Sequence, residues 1–274
     1  MALLIPEPNS IITLNSHRNL PFKPRGRSLG AFILETKTMP HDIVYILKPD
    51  INPEELRYSL RSIEKNFPHR KVFFVCGQPE GFEPDGRIKH KQVGASKWEL
   101  IKSSMWEVIR CEEVSDDFFL FNDDFFVMQP FEGDFVNYVS GTLEEYVQRL
   151  RETVHKWLNP YGRTIYKAEQ ELKQLGATTM NFDIHLPMLF NKKLAAETIN
   201  LCSSPQMRSV YGNLSKCPYI IRKDVKVYSM EEVPDDSCDF LSTNDDTFRN
   251  GKVGEYIREK FPTPSRWEGG ASGG

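Results

Sequence analysis

The sequence predicts an α/β protein built on a mostly parallel central sheet, with helices on both faces and a helical insertion. Three observations carry that reading. Short apolar, β-rich runs, DIVYIL (42–47), KVFFVCG (71–77) and DFFLFN (117–122), lack the polar alternation of a strand with one wet face. Amphipathic helical segments separate them, and strand–helix–strand order implies parallel pairing. The composition, 39% hydrophobic and 27% charged over 274 residues, suits one globular core and excludes a wholly disordered chain.

In chain order, residues 1–40 hold prolines at 6, 8, 21, 24 and 40 and the basic run HRNLPFKPRGR, which reads as an extended arm. A single domain follows over 41–262. After the first strand, INPEELRYSLRSIEKNF places a proline and acids in a first turn and Leu56, Leu60, Ile63 and Phe67 on one helical face. After the second strand, ASKWELIKSSMWEVIRC does the same with Trp98, Ile101, Met105 and Ile109. TLEEYVQRLRETVHKWL and RTIYKAEQELKQLG form a helical insertion at about 141–176, broken by the turn signal Asn159-Pro160-Tyr161-Gly162. KLAAETINLC reads as a helix, VKVYS as a short strand, and KVGEYIREKF as a helix ending before Pro262. Residues 263–274, ending in GGASGG, read as a flexible tail.

Charge and cysteine usage narrow the class. A formal charge of −3 argues against a protein that coats nucleic acid generally. Five cysteines without CxxC spacing suggest neither a disulfide framework nor a zinc site, which fits a reducing, cytoplasmic setting. The N-terminal segment lacks the apolar run of a signal peptide, and no segment has the apolar length of a membrane span. There is no Walker loop and no GxSxG elbow.

The chemistry concentrates in FLFNDDFFVMQP (119–130), where Asp123 and Asp124 interrupt an aromatic strand. Burying unpaired carboxylates costs several kcal/mol. At the carboxyl end of a parallel strand they face the ligand crevice, where Mn²⁺ or Mg²⁺, which prefer oxygen ligands, would neutralise them. Capping a turn or pairing with Lys or Arg is the other reading. In NFDIHLPM (181–188), Asp183 and His185 share one face of an extended segment, offering a carboxylate to a hydroxyl as general base and an imidazole to a metal, or a histidine that is merely structural. STNDDTF (242–248), with Asp245 and Asp246, reads as a turn or helix cap. Tyr45 and Lys48 end the first strand and Lys97 and Trp98 open the second helix, all on the crevice side. Either lysine meets a diphosphate or is a solvated charge, and Trp98 is a stacking platform or core.

Resemblance adds to this. DIVYILKPD with ELRYSLRSIEKNFPHRKVFFVCGQ resembles the first blocks of the Stealth family of sugar-phosphate transferases, and SDDFFLFNDDFFVMQPF its later acidic block. The same acidic stretch is similar to the DxD motif of GT-A nucleotide-sugar transferases, whose fold is a Rossmann-like α/β sheet. SKWELI, SDDFFLFNDDFF and FLSTNDDTFRNGKVGEYIREKFP together look like compact glycosyltransferases of bacteriophage genomes, some of which resemble enzymes that glucosylate hydroxymethylated pyrimidines in DNA. The resemblance implies a metal-dependent glycosyltransferase of the host cytoplasm using a UDP-sugar, with Asp124, Asp123 and His185 as metal ligands. It further implies diphosphate binding at Asp124 with Asp123, Asp183 as base in an inverting reaction, and a hydroxymethylated DNA base as acceptor; Tyr45, Lys48, Lys97 and Trp98, by their place on the crevice side, complete the expected nucleotide-sugar site. A Stealth-like sugar-1-phosphate transferase and a non-catalytic nucleotide-binding module are the alternatives.

Overall fold

The computed structural model describes residues 40–269 apart from 50, 52, 92, 95 and 153–158; the side chains of Lys97 and Trp98 lie outside the described set. The arm read over 1–40 is, up to Met39, outside the described residues.

The continuous apolar runs become β1 (Asp42–Leu47), β2 (Val72–Cys76) and β4 (Asp117–Phe121). Between them lie α1 (Pro53–Asn66), β3 (Gly86–Ile88) and α2 (Lys97–Arg110). A capping box starts α2: Glu99 N donates to Ser96 Oγ, and Ser96 N donates to the Glu99 carboxylate at 3.1 Å. After β4 come β5 (Phe125–Val127), β6 (Asn137–Val139), α3 (Leu143–Glu152), α4 (Pro160–Gln174) and β7 (Met188–Asn191). The chain continues through α5 (Lys192–Thr198), α6 (Met207–Leu214), β8 (Tyr219–Ile221), β9 (Phe240–Ser242), α7 (Asp245–Asn250) and α8 (Lys252–Lys260).

The main sheet runs β3-β2-β1-β4-β7; its pairings are parallel except for the antiparallel edge strand β7 on β4. Strand period divides the core. Ile43, Tyr45 and Leu47 of β1 pack with Leu56, Leu60 and Ile63 of α1 on one face, while Val44 packs with Met105 and Val108 of α2 on the other. The three α1 residues are fully buried, each contributing roughly 1.5–3 kcal/mol, so the helical stripe read from sequence is what docks α1. The α/β class, the mostly parallel sheet and helices on both faces all stand.

Three local readings need correction. Asn159-Pro160-Tyr161-Gly162 does not lie between helices but begins α4: Asn159 Oδ1 accepts from Gly162 N at 2.7 Å, and Pro160 occupies the first turn, where a missing N–H costs nothing. VKVYS is not a strand and makes only an isolated bridge, Lys226 to Ser242. The stretch read as tail packs as far as Gly269. Trp267 is buried, and Glu268 holds two α1 guanidinium groups, Arg57 at 2.5 Å and Arg61 at 2.7 Å. Carboxyl and indole partners supply the anchoring as far as Gly269.

Candidate active site

A cleft of about 1750 Å³ opens at the carboxyl ends of β1 and β4. The ends of these strands, the first turn of α1, the insertion helices, the 181–185 segment, the 222–235 segment and the start of α7 all line it. This is where an open parallel sheet binds ligands.

Asp123 and Asp124 stand in the turn after β4, closed by Phe125 N donating to Asn122 O at 3.2 Å. Phe121 and Phe125 on either side are buried and fix the turn. Asp124 Oδ2 accepts from Lys226 Nζ at 2.9 Å, whereas Asp124 Oδ1 is buried and has no hydrogen-bond partner among the described residues. Burial, and after it the charge of Asp124, pushes the Asp123 carboxyl up to about 6, against the opposing pull of its own backbone and Lys48. Glu55, from the first turn of α1, joins them. It is buried, accepts from Thr243 Oγ1 at 2.7 Å, and is pushed up to about 7, first by burial and further by Asp124, Asp123 and Asp245. The cluster therefore holds more negative charge than its neighbours balance.

A hard divalent cation fits this deficit, because the donors are carboxylate oxygens and one is unsatisfied. Among the described residues, however, no three His, Cys, Asp or Glu side chains form a ligand set. Asp123, Asp124 and His185 are thus not brought together as one ligand set among those residues. Protein ligands at Asp123 and Asp124 would leave the remaining positions to water and phosphate oxygens, as Mg²⁺ commonly has them.

His185 is engaged elsewhere. Its Nδ1 lies 2.8 Å from Asp224 Oδ2, and its backbone N donates to Asp224 Oδ1 at 3.1 Å. A carboxylate accepts only, so Nδ1 carries the proton of the neutral ring and Nε2 presents a lone pair. Burial works against the charge of Asp224, but the hydrogen bonds from His185 hold its carboxyl below the usual range. Asp183, the expected base, is tied down: its Oδ2 accepts from Ser209 Oγ at 2.5 Å. Burial raises its pKa, although Ser209 and Arg208 oppose the shift.

Arg208 of α6 binds the site together from below. Buried, it donates to Ile184 O at 3.0 Å, Leu186 O at 2.6 Å and Leu120 O at 3.3 Å, and lies over the Phe125 ring at 5.4 Å. It thus fixes the 184–186 segment to the end of β4 between Asp183, Asp124 and Asp224, whose charges oppose the effect of its burial.

Of the other expected residues, Lys48 is exposed on the cleft wall and its charge reaches Asp123. Tyr45 is not on that wall: it is fully buried, its hydroxyl 2.9 Å from Ser59 Oγ and its ring against Phe74 and Phe121. It points to the α1 face because strand side chains alternate. The side chains of Lys97 and Trp98 lie outside the described residues. Asn244 caps α7, accepting from Asp246 N at 3.0 Å and Thr247 N at 2.9 Å, as the helix-cap reading of STNDDTF expects. That cap also sets Asp245 on the cleft wall. Glu55, Arg208, Asp224 and Lys226 were missed; only Glu55 carried a local signal, and it is that of an ordinary first-turn acid.

No family model matches the chain, and no curated protein does. Among solved structures, the glycosyltransferase GlyE of Streptococcus pneumoniae TIGR4 aligns at 14% identity and a TM-score of 0.28, over 47% of this chain and 43% of that one. Its apo form aligns at 14% and 0.27, over 49% and 43%. The chain thus matches less than half the length of either, and a likeness of this size carries no argument about the fold or activity. Among the described residues no helix is long and apolar enough to cross a membrane.

Proposed function

We propose that this chain is a metal-dependent glycosyltransferase that moves a sugar from a nucleotide-sugar donor, a UDP-sugar, to a hydroxyl acceptor. The observation that carries the reading is the under-neutralised pair Asp123 and Asp124 at the carboxyl end of β4, on the wall of a cleft large enough for donor and acceptor, with Asp124 Oδ1 lacking a hydrogen-bond partner among the described residues. Mn²⁺ or Mg²⁺, held by these two carboxylates, would neutralise the leaving diphosphate. Lys48 and Lys226 add positive charge on either side of the pair.

His185 rather than Asp183 takes the base role. Its Nε2 accepts the proton of the acceptor hydroxyl as that oxygen bonds to the anomeric carbon and the carbon–phosphate-oxygen bond breaks, its electrons leaving with the diphosphate. Asp224 holds the ring by Nδ1 and stabilises the imidazolium that forms. Asp183, committed to Ser209, positions the segment.

The hydroxymethylated DNA base implied by the phage-type resemblance would bring a polyanion to a cleft lined by eight carboxylates and six cationic side chains. The lining favours an acceptor without that charge. Thermal shift with Mn²⁺ and UDP, separately and together, tests the reading: coupled stabilisation is expected in the wild type and absent in Asp124→Asn. Incubation with UDP-sugars should then release UDP. Release of UMP would instead identify a sugar-1-phosphate transferase, and retention of coupled binding in Asp124→Asn would remove the acidic turn from the site.

A further inference from the structure

We infer that the cleft carries an acceptor subsite for an uncharged carbohydrate, formed by Tyr146 and Tyr161 of the helical insertion and Tyr228 of the 222–235 segment. The inference rests on the transferase reading, since it assigns the acceptor's share of the same cleft. All three tyrosines line that cleft with His185 and Asp224. Tyr146 and Tyr161 meet edge to face, ring centroids 6.2 Å apart at 88°, and Arg149 lies 5.5 Å over the Tyr146 ring. The pair thus forms a fixed aromatic corner.

Tyr228 differs in being 68% exposed, an unusual state for an aromatic side chain on the wall of a concave site. Its segment also exposes Met230 and Val233. Tyrosine suits a sugar in particular, because its ring face accepts the apolar C–H side while its hydroxyl pairs with the sugar's own. Burial first, and nearby groups including the Asp224 carboxylate, raise the pKa of all three phenols, so each remains a neutral donor.

Charge selects between acceptor classes. The lining is net acidic, and two of its six cations, Lys226 and Arg222, are already bound to Asp124 and Asp239. A phosphate backbone gains most of its affinity from unengaged cations, which this wall does not offer in excess. A neutral sugar needs none.

Saturation-transfer NMR on the full chain with Mn²⁺ and UDP present tests the subsite. The probes are maltotriose, cellotriose and chitotriose, with a hydroxymethylcytosine oligonucleotide as the anionic competitor. At least one trisaccharide should show saturated ring protons; Tyr228→Ala should weaken it about threefold to tenfold, and Tyr228→Phe less. Both variants should keep the coupled stabilisation by Mn²⁺ and UDP. The subsite is overturned if no trisaccharide is saturated, if only the oligonucleotide is, or if Tyr228→Ala binds saccharide as the wild type does. Failure of coupled UDP stabilisation in the wild type sinks the transferase reading itself, and the subsite with it.

Discussion

Asp42 and the Asp123–Asp124 pair sit at opposite ends of the same parallel strands and have opposite fates. Asp42, at the start of β1, is fully buried and saturated: Arg70 donates through Nε at 2.7 Å and a terminal nitrogen at 2.5 Å, and the backbone N–H groups of Ser115 and Lys71 donate at 2.7 and 3.1 Å. Burial would raise its pKa, yet these partners bring it below the usual carboxylate range. Asp123, past the end of β4, has its pKa raised by burial and by Asp124, and one oxygen of Asp124 has no partner among the described residues. An acid that serves the fold is closed by donors; one that waits for a ligand is left open. Among the described residues the one buried carboxylate oxygen without a partner lies at the edge where ligands bind, which argues for function.

The sharpest way to break the comparison is Asp124→Ala. Removing the open carboxylate should lower transferase turnover by about 10²–10³-fold, the scale for losing a group that stabilises developing charge, as measured by UDP release. Asp42→Asn should act on stability instead. Asp42 is buried but Arg70 is half exposed, so breaking the pair should cost about 2–3 kcal/mol, less than a fully buried pair, readable in urea unfolding with the Mn²⁺–UDP response of the folded fraction intact.

The pH dependence sharpens the contrast further. The folded pKa of Glu55 is about 7 against 4.5 unfolded, so the native state binds the extra proton between them and stability falls as pH rises through that window. The penalty is on the order of 3 kcal/mol and complete above about 7. Glu55→Gln should flatten the profile between pH 5 and 7.5 in thermal melts; an unchanged profile would place the strained charge elsewhere. The smallest effect is expected at Tyr45→Phe, which loses the Ser59 hydrogen bond and about 1 kcal/mol while turnover stays unchanged. A fall in turnover would return Tyr45 to the site.

How much of this was legible depended on the range of the interactions. Strands β1, β2 and β4 were readable because they are apolar on both faces, and the acidic turn because charge interrupts an aromatic run. Three-residue strands such as β5 and β9 are too short to carry a period. Tyr45 was misassigned by its place at a strand end, although the period of two already puts it on the face of Ile43 and Leu47. Asp224, Lys226 and Arg208 reach the site across 39, 102 and 88 residues of chain, and only the tertiary fold brings them to His185, Asp124 and the end of β4. The His185–Asp224 pairing is therefore invisible locally.

The most direct measurement compares urea-unfolding stability of Asp123→Asn with that of the wild type, each with and without Mn²⁺ and UDP. Neutralising a strained carboxylate should leave the ligand-free protein at least as stable as wild type and abolish the added stability from Mn²⁺ and UDP. A loss without ligand like that expected for Asp42→Asn would contradict the account and make Asp123 a structural acid.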